Sequence, residues 1–290
     1  MRILKWIGIV VLGIVVLLLV IGGAMYFVGS SRVDASYQVA TASLSIPSDS
    51  TSLAYGEHLT RIHGCRDCHG ADFSGQVFVD APPFRITASN LTPGEGGIGK
   101  TYTENDFDRA IRHGVRPNGR ALFIMPSAAF HRMSDADAAA LIAYLRTIPA
   151  VDNVLPPTEI RAPGRLMAAG LIDADMEVNL APARSEPPPP AGPTAEYGQY
   201  LTSITCAYCH GQDLRGAQPP NPDSPPAPDL IRAGAWTVDQ FKHAMRTGMR
   251  PAGVPIDQNF MPITFTMEMA DHELEAIHAY LATLSASPTI

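Results

Sequence analysis

Two short stretches decide how this sequence is interpreted: Cys65-Arg66-Asp67-Cys68-His69-Gly70 and Cys206-Ala207-Tyr208-Cys209-His210-Gly211. All four cysteines of the 290-residue chain lie in these two motifs. Each motif places two thiols three residues apart with a histidine directly after the second, which is the attachment sequence for haem c. The thiols reach the two vinyl groups of one porphyrin, and His69 or His210 becomes an axial ligand of its iron. The sequence therefore predicts two covalently attached haem c groups.

Two other uses of the same thiols are open at this point. Each Cys-x-x-Cys pair could form a disulfide, or the two pairs could share a structural zinc ion. Neither needs His69 and His210, and an exported chain disfavours the zinc site. A thioredoxin-like redox centre would need a βαβ context, which the sequence does not show.

The whole surroundings of the motif occur twice, so the chain carries an internal repeat. Recurring identities precede and follow both motifs and end in a Tyr-Leu pair. The first copy has Tyr55, Gly56, Leu59, Phe107, Ala110, Arg112, Gly114, Arg116, Pro117, Gly119, Met125, Pro126, Tyr144 and Leu145, and the second has Tyr197, Gly198, Leu201, Phe241, Ala244, Arg246, Gly248, Arg250, Pro251, Gly253, Met261, Pro262, Tyr280 and Leu281.

The repeat also indicates the sixth iron ligand. Met125 and Met261 occupy equivalent places, each before a proline and shortly before the last helix of its copy. A histidine and a methionine together fill the axial positions and suit electron transfer. Methionine is also a common core filler, and four others lie near enough to be alternatives. These are Met133, Met249, Met267 and Met269.

Other cations in the repeat are weaker candidates for a cofactor role. Guanidinium groups suit the carboxylates of haem propionates, although charges at helix ends are often simply solvated. The recurring arginines are Arg112, Arg116, Arg246 and Arg250. His63 is close enough in sequence to the first motif to tune that haem, and ligation by it stays an alternative.

The N-terminus predicts a membrane anchor. Arg2 and Lys5 precede an uncharged apolar run from Trp6 to Val28, which is long enough to span a bilayer as a helix. The leading positive charges place the N-terminus in the cytoplasm and the rest of the chain outside. A cleaved signal peptide is the alternative, with Gly22-Gly23-Ala24 as its cleavage site. The net charge of −7 and the lack of a basic run exclude nucleic acid as the expected partner.

These features predict a mainly α protein with five segments. Residues 1–32 form the anchor, 33–51 a stalk, 52–150 the first domain, 151–193 a proline-rich linker, and 194–290 the second domain. Ser134 and Asp137 resemble a capping box before the last helix of the first domain. Ala270 replaces Ser134 in the second copy, so that cap is lost or moves to Asp271. No convincing run of strands is present.

Both copies resemble class I cytochrome c domains, and the phrase Asn90-Leu91-Thr92-Pro93 is similar to the cytochrome subunits of bacterial alcohol, aldehyde and gluconate dehydrogenases. Those subunits usually carry three haem motifs, whereas this chain has two. In the family a loop proline offers its carbonyl to the axial histidine. Pro228 fits that place in the second copy, but Ser89 stands there in the first, which predicts that the two haems differ in potential.

The resemblance implies a dihaem electron carrier on the outer face of the cytoplasmic membrane. Its partners would be a dehydrogenase or quinol-oxidising complex as donor and an oxidase or soluble cytochrome as acceptor. An electron-transfer subunit that anchors a dehydrogenase is an alternative. A dihaem peroxidase is a further one, but Met-Pro in both copies argues against the open iron site that it needs. The sequence shows no catalytic residues, so a carrier is favoured over an enzyme.

Overall fold

The computed structural model describes residues 2–219 and 224–285, and helices are its main regular secondary structure. Helix α1, Arg2–Val33, is apolar along nearly its whole length, and all of it except its C-terminal end stands clear of the rest of the protein. It is the one helix in the described residues that is long and apolar enough to cross a membrane. The described part of the expected anchor segment, residues 2–32, is therefore helical.

The first domain is built from five helices. They are α2 (Ser50–Ile62), α3 (Cys65–His69), α4 (Glu104–His113), α5 (Ser127–Phe130) and α6 (Asp135–Leu145). Helices α2 and α6 pack closely because Gly56 has no side chain. A Cβ atom there would lie 2.0 Å from the carbonyl oxygen of Ala140. The Tyr-Gly-x-x-Leu pattern is thus a helix-crossing motif.

The second domain repeats this arrangement. Its helices are α8 (Ala195–Thr205), α9 (Ala207–His210), a 3-10 helix (Ile231–Ala235), α10 (Val238–Thr247), α11 (Thr264–Met267) and α12 (Asp271–Ser285). Helix α7 (Ala162–Met167) belongs to the segment between the domains. Gly198 crosses α12 at Ala276, where a Cβ atom would lie 1.9 Å from the carbonyl oxygen. The prediction of two tandem, mainly α domains is confirmed by this fold.

A small sheet departs from the expectation that the chain has no strands. Strand β1 (Gln76–Ala81) pairs antiparallel with β2 (Phe84–Ala88), and β2 pairs with β3 (Glu159–Ile160). Strand β3 comes from the proline-rich segment and is two residues long, too short for any periodic signal. It is held by backbone pairing and by the ion pair of Arg85 with Glu159.

The segment 151–193 lies against the first domain and is not a free spacer. Asn153 donates side-chain hydrogen bonds to the Ser74 and Gly75 carbonyls. Beyond β3, helix α7 (Ala162–Met167) contacts the end of α1. Glu177 is buried between the two domains with 1% exposure. The described part of this segment therefore fixes the domains instead of letting them swing.

The segment predicted as a stalk, 33–51, has no regular secondary structure but is anchored along the first domain. The Tyr37 amide donates to the Gly119 carbonyl, and its hydroxyl donates to Asp175 at 2.6 Å. Leu44 and Ile46 pack against the main core. Apolar side chains and backbone hydrogen bonds hold this segment in place.

Both final helices are capped, but by different groups. Ser134 Oγ accepts the Asp137 amide, while the Asp137 carboxylate makes hydrogen bonds elsewhere, so half of the expected capping box forms. In the second domain, Glu273 accepts the Ala270 amide at 2.6 Å. The cap is therefore supplied by Glu273, not by Asp271.

Candidate haem sites

A large apolar cavity opens in the first domain around the predicted attachment motif. It encloses about 1250 Å³, part of it open to solvent, and Cys65, Cys68, His69 and Met125 all line it. Most of the remaining wall is apolar, with Phe107, among others, facing the space. The structure thus places both thiols and both predicted iron ligands of the first copy around one cavity.

Each predicted axial histidine is oriented by a backbone carbonyl. His69 Nδ1 lies 2.8 Å from the Ser89 oxygen, and His210 Nδ1 lies 2.9 Å from the Pro228 oxygen. A carbonyl only accepts, so each Nδ1 carries the proton and each Nε2 keeps its lone pair for a metal. Burial lowers the pKa of His69, which keeps the ring neutral. Ser89 offers its backbone carbonyl to His69 just as Pro228 does to His210. The predicted difference in potential between the two haems therefore does not follow from the lengths of these hydrogen bonds.

Glycines make the turn that directs each histidine. Gly70 and Gly211 have φ of 82° and 80°, which a residue with a side chain rarely adopts. The chain then folds back, and the amides of Gly75 and Gly216 donate to the His69 and His210 carbonyls. The Gly after each Cys-x-x-Cys-His motif is therefore required by backbone geometry.

The four cysteines are free thiols and stand partly buried. Burial raises the pKa of Cys65 to about 12 and that of Cys206 to about 11. Among the residues that the structure describes, no three side chains of His, Cys, Asp or Glu converge as a metal site. Cys65 and Cys68, as neutral thiols that line an apolar cavity, fit thioether bonding to a porphyrin edge better than a disulfide or a shared zinc ion.

The six methionines considered as iron ligands lie in three different environments. Met125 and Met261 are partly buried at the edge of the core, and each is followed by a short helix, α5 or α11. Met133 and Met269 are fully buried core side chains, although Met133 also reaches the cavity wall. Met249 and Met267 are exposed. The environment of Met125, partly buried on the cavity wall, suits an iron ligand, and Met261 is likewise partly buried against the core.

The four arginines have different surroundings. Arg116 lines the first cavity and makes no salt bridge to any described residue, so it is available to an anion inside. Arg112 is buried in ion pairs with Asp108 and Asp135. Arg246 pairs with Asp271 at the surface, and Arg250 donates to the Val254 and Pro255 carbonyls of its own loop. Of these, Arg116 is placed best for a propionate.

His63 also lines the first cavity, edge-on to Phe130 with ring centroids 5.8 Å apart. Its Nδ1 is buried without a hydrogen-bond partner among the described residues. Burial lowers the pKa of His63 to about 4, so the ring is neutral. Its place on the wall suits a neighbour of the cofactor.

Sequence reasoning missed that each motif contacts the other domain. Thr264, the second residue after Met261-Pro262, donates a 2.9 Å hydrogen bond to Asp67 between the first pair of cysteines. In the reverse direction, Tyr208 lies between the second pair of cysteines and donates to Glu177. Glu177 also accepts the amide of Ala128, the second residue after Met125-Pro126. The two contacts are equivalent in the repeat, one direct and one through Glu177.

Comparison with known proteins finds similarity along both domains. The family model described as Cytochrome c matches residues 53–149 and 195–285. The chain is 29% identical over 220 residues to the cytochrome c subunit of a quinone alcohol dehydrogenase from Gluconacetobacter polyoxogenes, covering 69% of this chain and 45% of that protein. It is 26% identical over 267 residues to a fructose dehydrogenase cytochrome subunit from Gluconobacter japonicus, covering 81% and 53%.

A third relative is closer in length. The chain is 28% identical over 267 residues to a diheme c-type cytochrome from Cereibacter sphaeroides, covering 80% of this chain and 85% of that protein. By contrast, the chain spans about half the length of the two dehydrogenase subunits.

Proposed function

Because the chain belongs to the cytochrome c family, we propose that it is a membrane-anchored dihaem carrier whose two domains exchange electrons directly. The observation that carries this proposal is the reciprocal contact between the domains. The residue between the cysteines of each motif is tied to the segment after Met-Pro of the other domain. This arrangement holds the two cofactor sites at a fixed separation across one interface.

The roles of the residues follow from their positions. Cys65 and Cys68 in the first domain, and Cys206 and Cys209 in the second, would hold the haems through thioether bonds. Haem, when bound, supplies a one-electron iron couple. His69 and His210, held by the Ser89 and Pro228 carbonyls, would each offer Nε2 to an iron. Met125 and Met261 would be the second protein ligands of each iron and would exclude water and small ligands.

Helix α1 supports a location in the cytoplasmic membrane with both haem domains on the periplasmic side. Its positive residues, Arg2 and Lys5, precede the apolar run and favour a cytoplasmic N-terminus. Electrons would enter from a dehydrogenase or quinol-oxidising complex and leave to an oxidase or soluble cytochrome. Redox partners of this kind dock through small, transient interfaces.

A second candidate function is that of an electron-transfer subunit within a dehydrogenase complex. The similarity to the alcohol and fructose dehydrogenase cytochrome subunits favours it, since the matches cover 69% and 81% of this chain. Purification of the full chain from its native membrane distinguishes the two functions. A stable, stoichiometric dehydrogenase partner would indicate a subunit, and an isolated dihaem protein would indicate a carrier.

Counting haems tests the sites. The full chain, expressed with c-type maturation machinery, should carry two haems that survive denaturation in a pyridine haemochrome assay. The double variants Cys65→Ala/Cys68→Ala and Cys206→Ala/Cys209→Ala should each retain one. An unaltered chain without covalent haem would overturn the proposal.

Carbon monoxide tests the sixth ligands and the peroxidase alternative together. The reduced protein should not bind carbon monoxide, whereas Met125→Ala and Met261→Ala should each open one site. Met133→Leu is the matched control, because Met133 also reaches the cavity wall but is a core side chain. Binding by the unaltered protein would favour an enzyme, and binding by Met133→Leu would assign the ligand to Met133.

A further inference from the structure

Aromatic residues lie at the two ends of the apolar run of helix α1, and a close contact with α7 follows the second. Trp6 and Tyr26 are 20 residues apart, which corresponds to about 30 Å of helix and to the thickness of the hydrocarbon core. Both residue types concentrate at membrane interfaces. Gly29, one turn beyond Tyr26, lies against α7, where a Cβ atom would be 1.6 Å from the Arg165 carbonyl oxygen. Helix α7 is therefore held at the level of the membrane surface.

Helix α7 is attached to α1 through one of its faces. Gly164 and Ala168 are buried, and Ala168 packs with Val33 at the end of α1. Arg165 pairs with Asp34 just after α1, and Arg32 donates to the Ala168 carbonyl. These contacts fix α7 relative to α1, so the two move as one unit.

A different face of the same helical segment is apolar and uncovered. The Leu171 amide donates to the Met167 carbonyl at 2.7 Å, so the helical turn extends past the end of α7. Apolar residues recur along it at helical spacing and carry no charge. They are Pro163, Leu166, Met167, Gly170 and Leu171, which we call the α7 stripe. Its members are exposed or half-exposed, and Leu171 is 76% exposed.

We infer that the α7 stripe lies in the interfacial layer of the bilayer and forms a second membrane contact beside α1. A short amphipathic segment at headgroup depth buries its apolar face at the boundary of the acyl chains. Two contacts at one level determine how the first domain is oriented on the membrane, which a single helix leaves free. The inference rests on the proposed span of α1.

The test uses the full haem-loaded chain in vesicles of phosphatidylethanolamine and phosphatidylglycerol. All native cysteines are bound to haem in the proposed protein, so one introduced cysteine carries a nitroxide label. The positions are Leu171→Cys and Met167→Cys in the α7 stripe. Val154→Cys is the control, because Val154 is also an apolar residue of the 151–193 segment and is 70% exposed. Collision of the label with oxygen, which concentrates in lipid, is compared with collision with a water-soluble nickel chelate.

Labels at Leu171 and Met167 should favour oxygen, and the label at Val154 should favour the nickel chelate. Nickel-dominated collisions at both stripe positions would overturn the inference. A label at Leu17→Cys, in the middle of α1, separates this failure from that of the anchor. Oxygen-dominated collisions at Leu17 with aqueous labels in the stripe would reject the second contact alone, while an aqueous Leu17 would reject the proposed span.

Discussion

The hydroxyl of Tyr200, in the second domain, donates a 2.5 Å hydrogen bond to Oδ2 of Asp137, in the first. The reverse pair is His58 of the first domain with Glu273 of the second, at 2.9 Å. In the repeat, His58 aligns with Tyr200 and Asp137 aligns with Glu273. Each Tyr-Gly helix therefore reaches across to a buried acid on the last helix of the other domain. The interface therefore has an approximate twofold symmetry, although the two equivalent pairs consist of different residue types.

Removal of the Tyr200 hydroxyl should weaken this interface. The hydroxyl also accepts the Ser134 amide, so Tyr200→Phe leaves a buried amide and a buried carboxylate with one partner fewer. We expect the free energy of unfolding to fall by about 1–3 kcal/mol in denaturant titrations. The control is Tyr280→Phe, because the Tyr280 hydroxyl makes no hydrogen bond within the described residues. A loss as large in the control would show that the interfacial bond is not responsible.

The reverse pair predicts a pH dependence of stability. Burial opposes the charge of Glu273, but the hydrogen bond and charge of His58 lower its pKa below the ordinary value of 4.5. The unfolded chain then binds more protons near pH 4.5 than the folded one. The contribution of Glu273 to the free energy of unfolding is therefore complete above its pKa in the unfolded chain. It is lost as the pH falls through its pKa in the folded chain.

His58→Ala should weaken that fall, because Glu273 loses the partner that holds its folded pKa below the unfolded value. Denaturant titrations between about pH 3 and 7 measure the effect. His243→Ala, which changes an exposed histidine of the second domain, serves as the control. An unchanged pH profile in His58→Ala would show that the pair does not set the ionisation of Glu273.

These pairs show why sequence analysis found the domains but not their interface. The attachment motifs, the Tyr-Gly helices and the Met-Pro segments recur as identical residues, and all of them were predicted. Position 58/200 changes from His to Tyr, and position 137/273 changes from Asp to Glu. A comparison of identities passes over both, although each pair performs one task.

The other features that the sequence did not predict depend on contacts between residues that are distant in sequence. Strand β3 is two residues long and forms because Arg85 and Phe84 pair with it from 74 or more residues away. Glu177 lies in a segment interpreted as a spacer, and no local pattern marks it. Its role depends on Ala128 and Tyr208, which only the folded chain brings together.

Glu177 should control how rigidly the two cofactor sites are joined. Burial raises the pKa of this carboxyl above its usual value, although Tyr208 and the Ala128 amide favour its charged form. Glu177→Gln keeps the size of the side chain but replaces one carboxylate oxygen with an amide nitrogen, which donates. The glutamine side chain therefore cannot accept hydrogen bonds from both Tyr208 and the Ala128 amide as the carboxylate does. We expect looser domains, seen as faster hydrogen exchange at α5 and α9, with both haems retained. Glu159→Gln, at a surface ion pair in the same segment, should leave exchange at α5 and α9 unchanged.

Arg116 and Arg250 are equivalent in the repeat but differ in surroundings, and this predicts unequal haem potentials. Ser36 and Tyr37 cover the turn after Arg116, where a Cβ atom at Gly119 would lie 2.3 Å from Ser36 Oγ. A Cβ atom at Gly253, after Arg250, would meet nothing within 4 Å. Likewise Val115 is fully buried, whereas Met249 is 37% exposed. Solvent therefore screens the charge of Arg250 more than that of Arg116.

A nearby positive charge disfavours ferric haem, which carries one more positive charge than ferrous haem, so it raises the potential. Arg116→Gln should lower the potential of the first haem by roughly 40 mV, the equivalent of about 1 kcal/mol for one electron. Arg250→Gln should lower that of the second haem by less, because its charge is exposed. Spectroelectrochemical titration of both variants resolves the two midpoints. A larger shift of the haem potential in Arg250→Gln than in Arg116→Gln would mean that the covered turn does not strengthen the effect of the Arg116 charge.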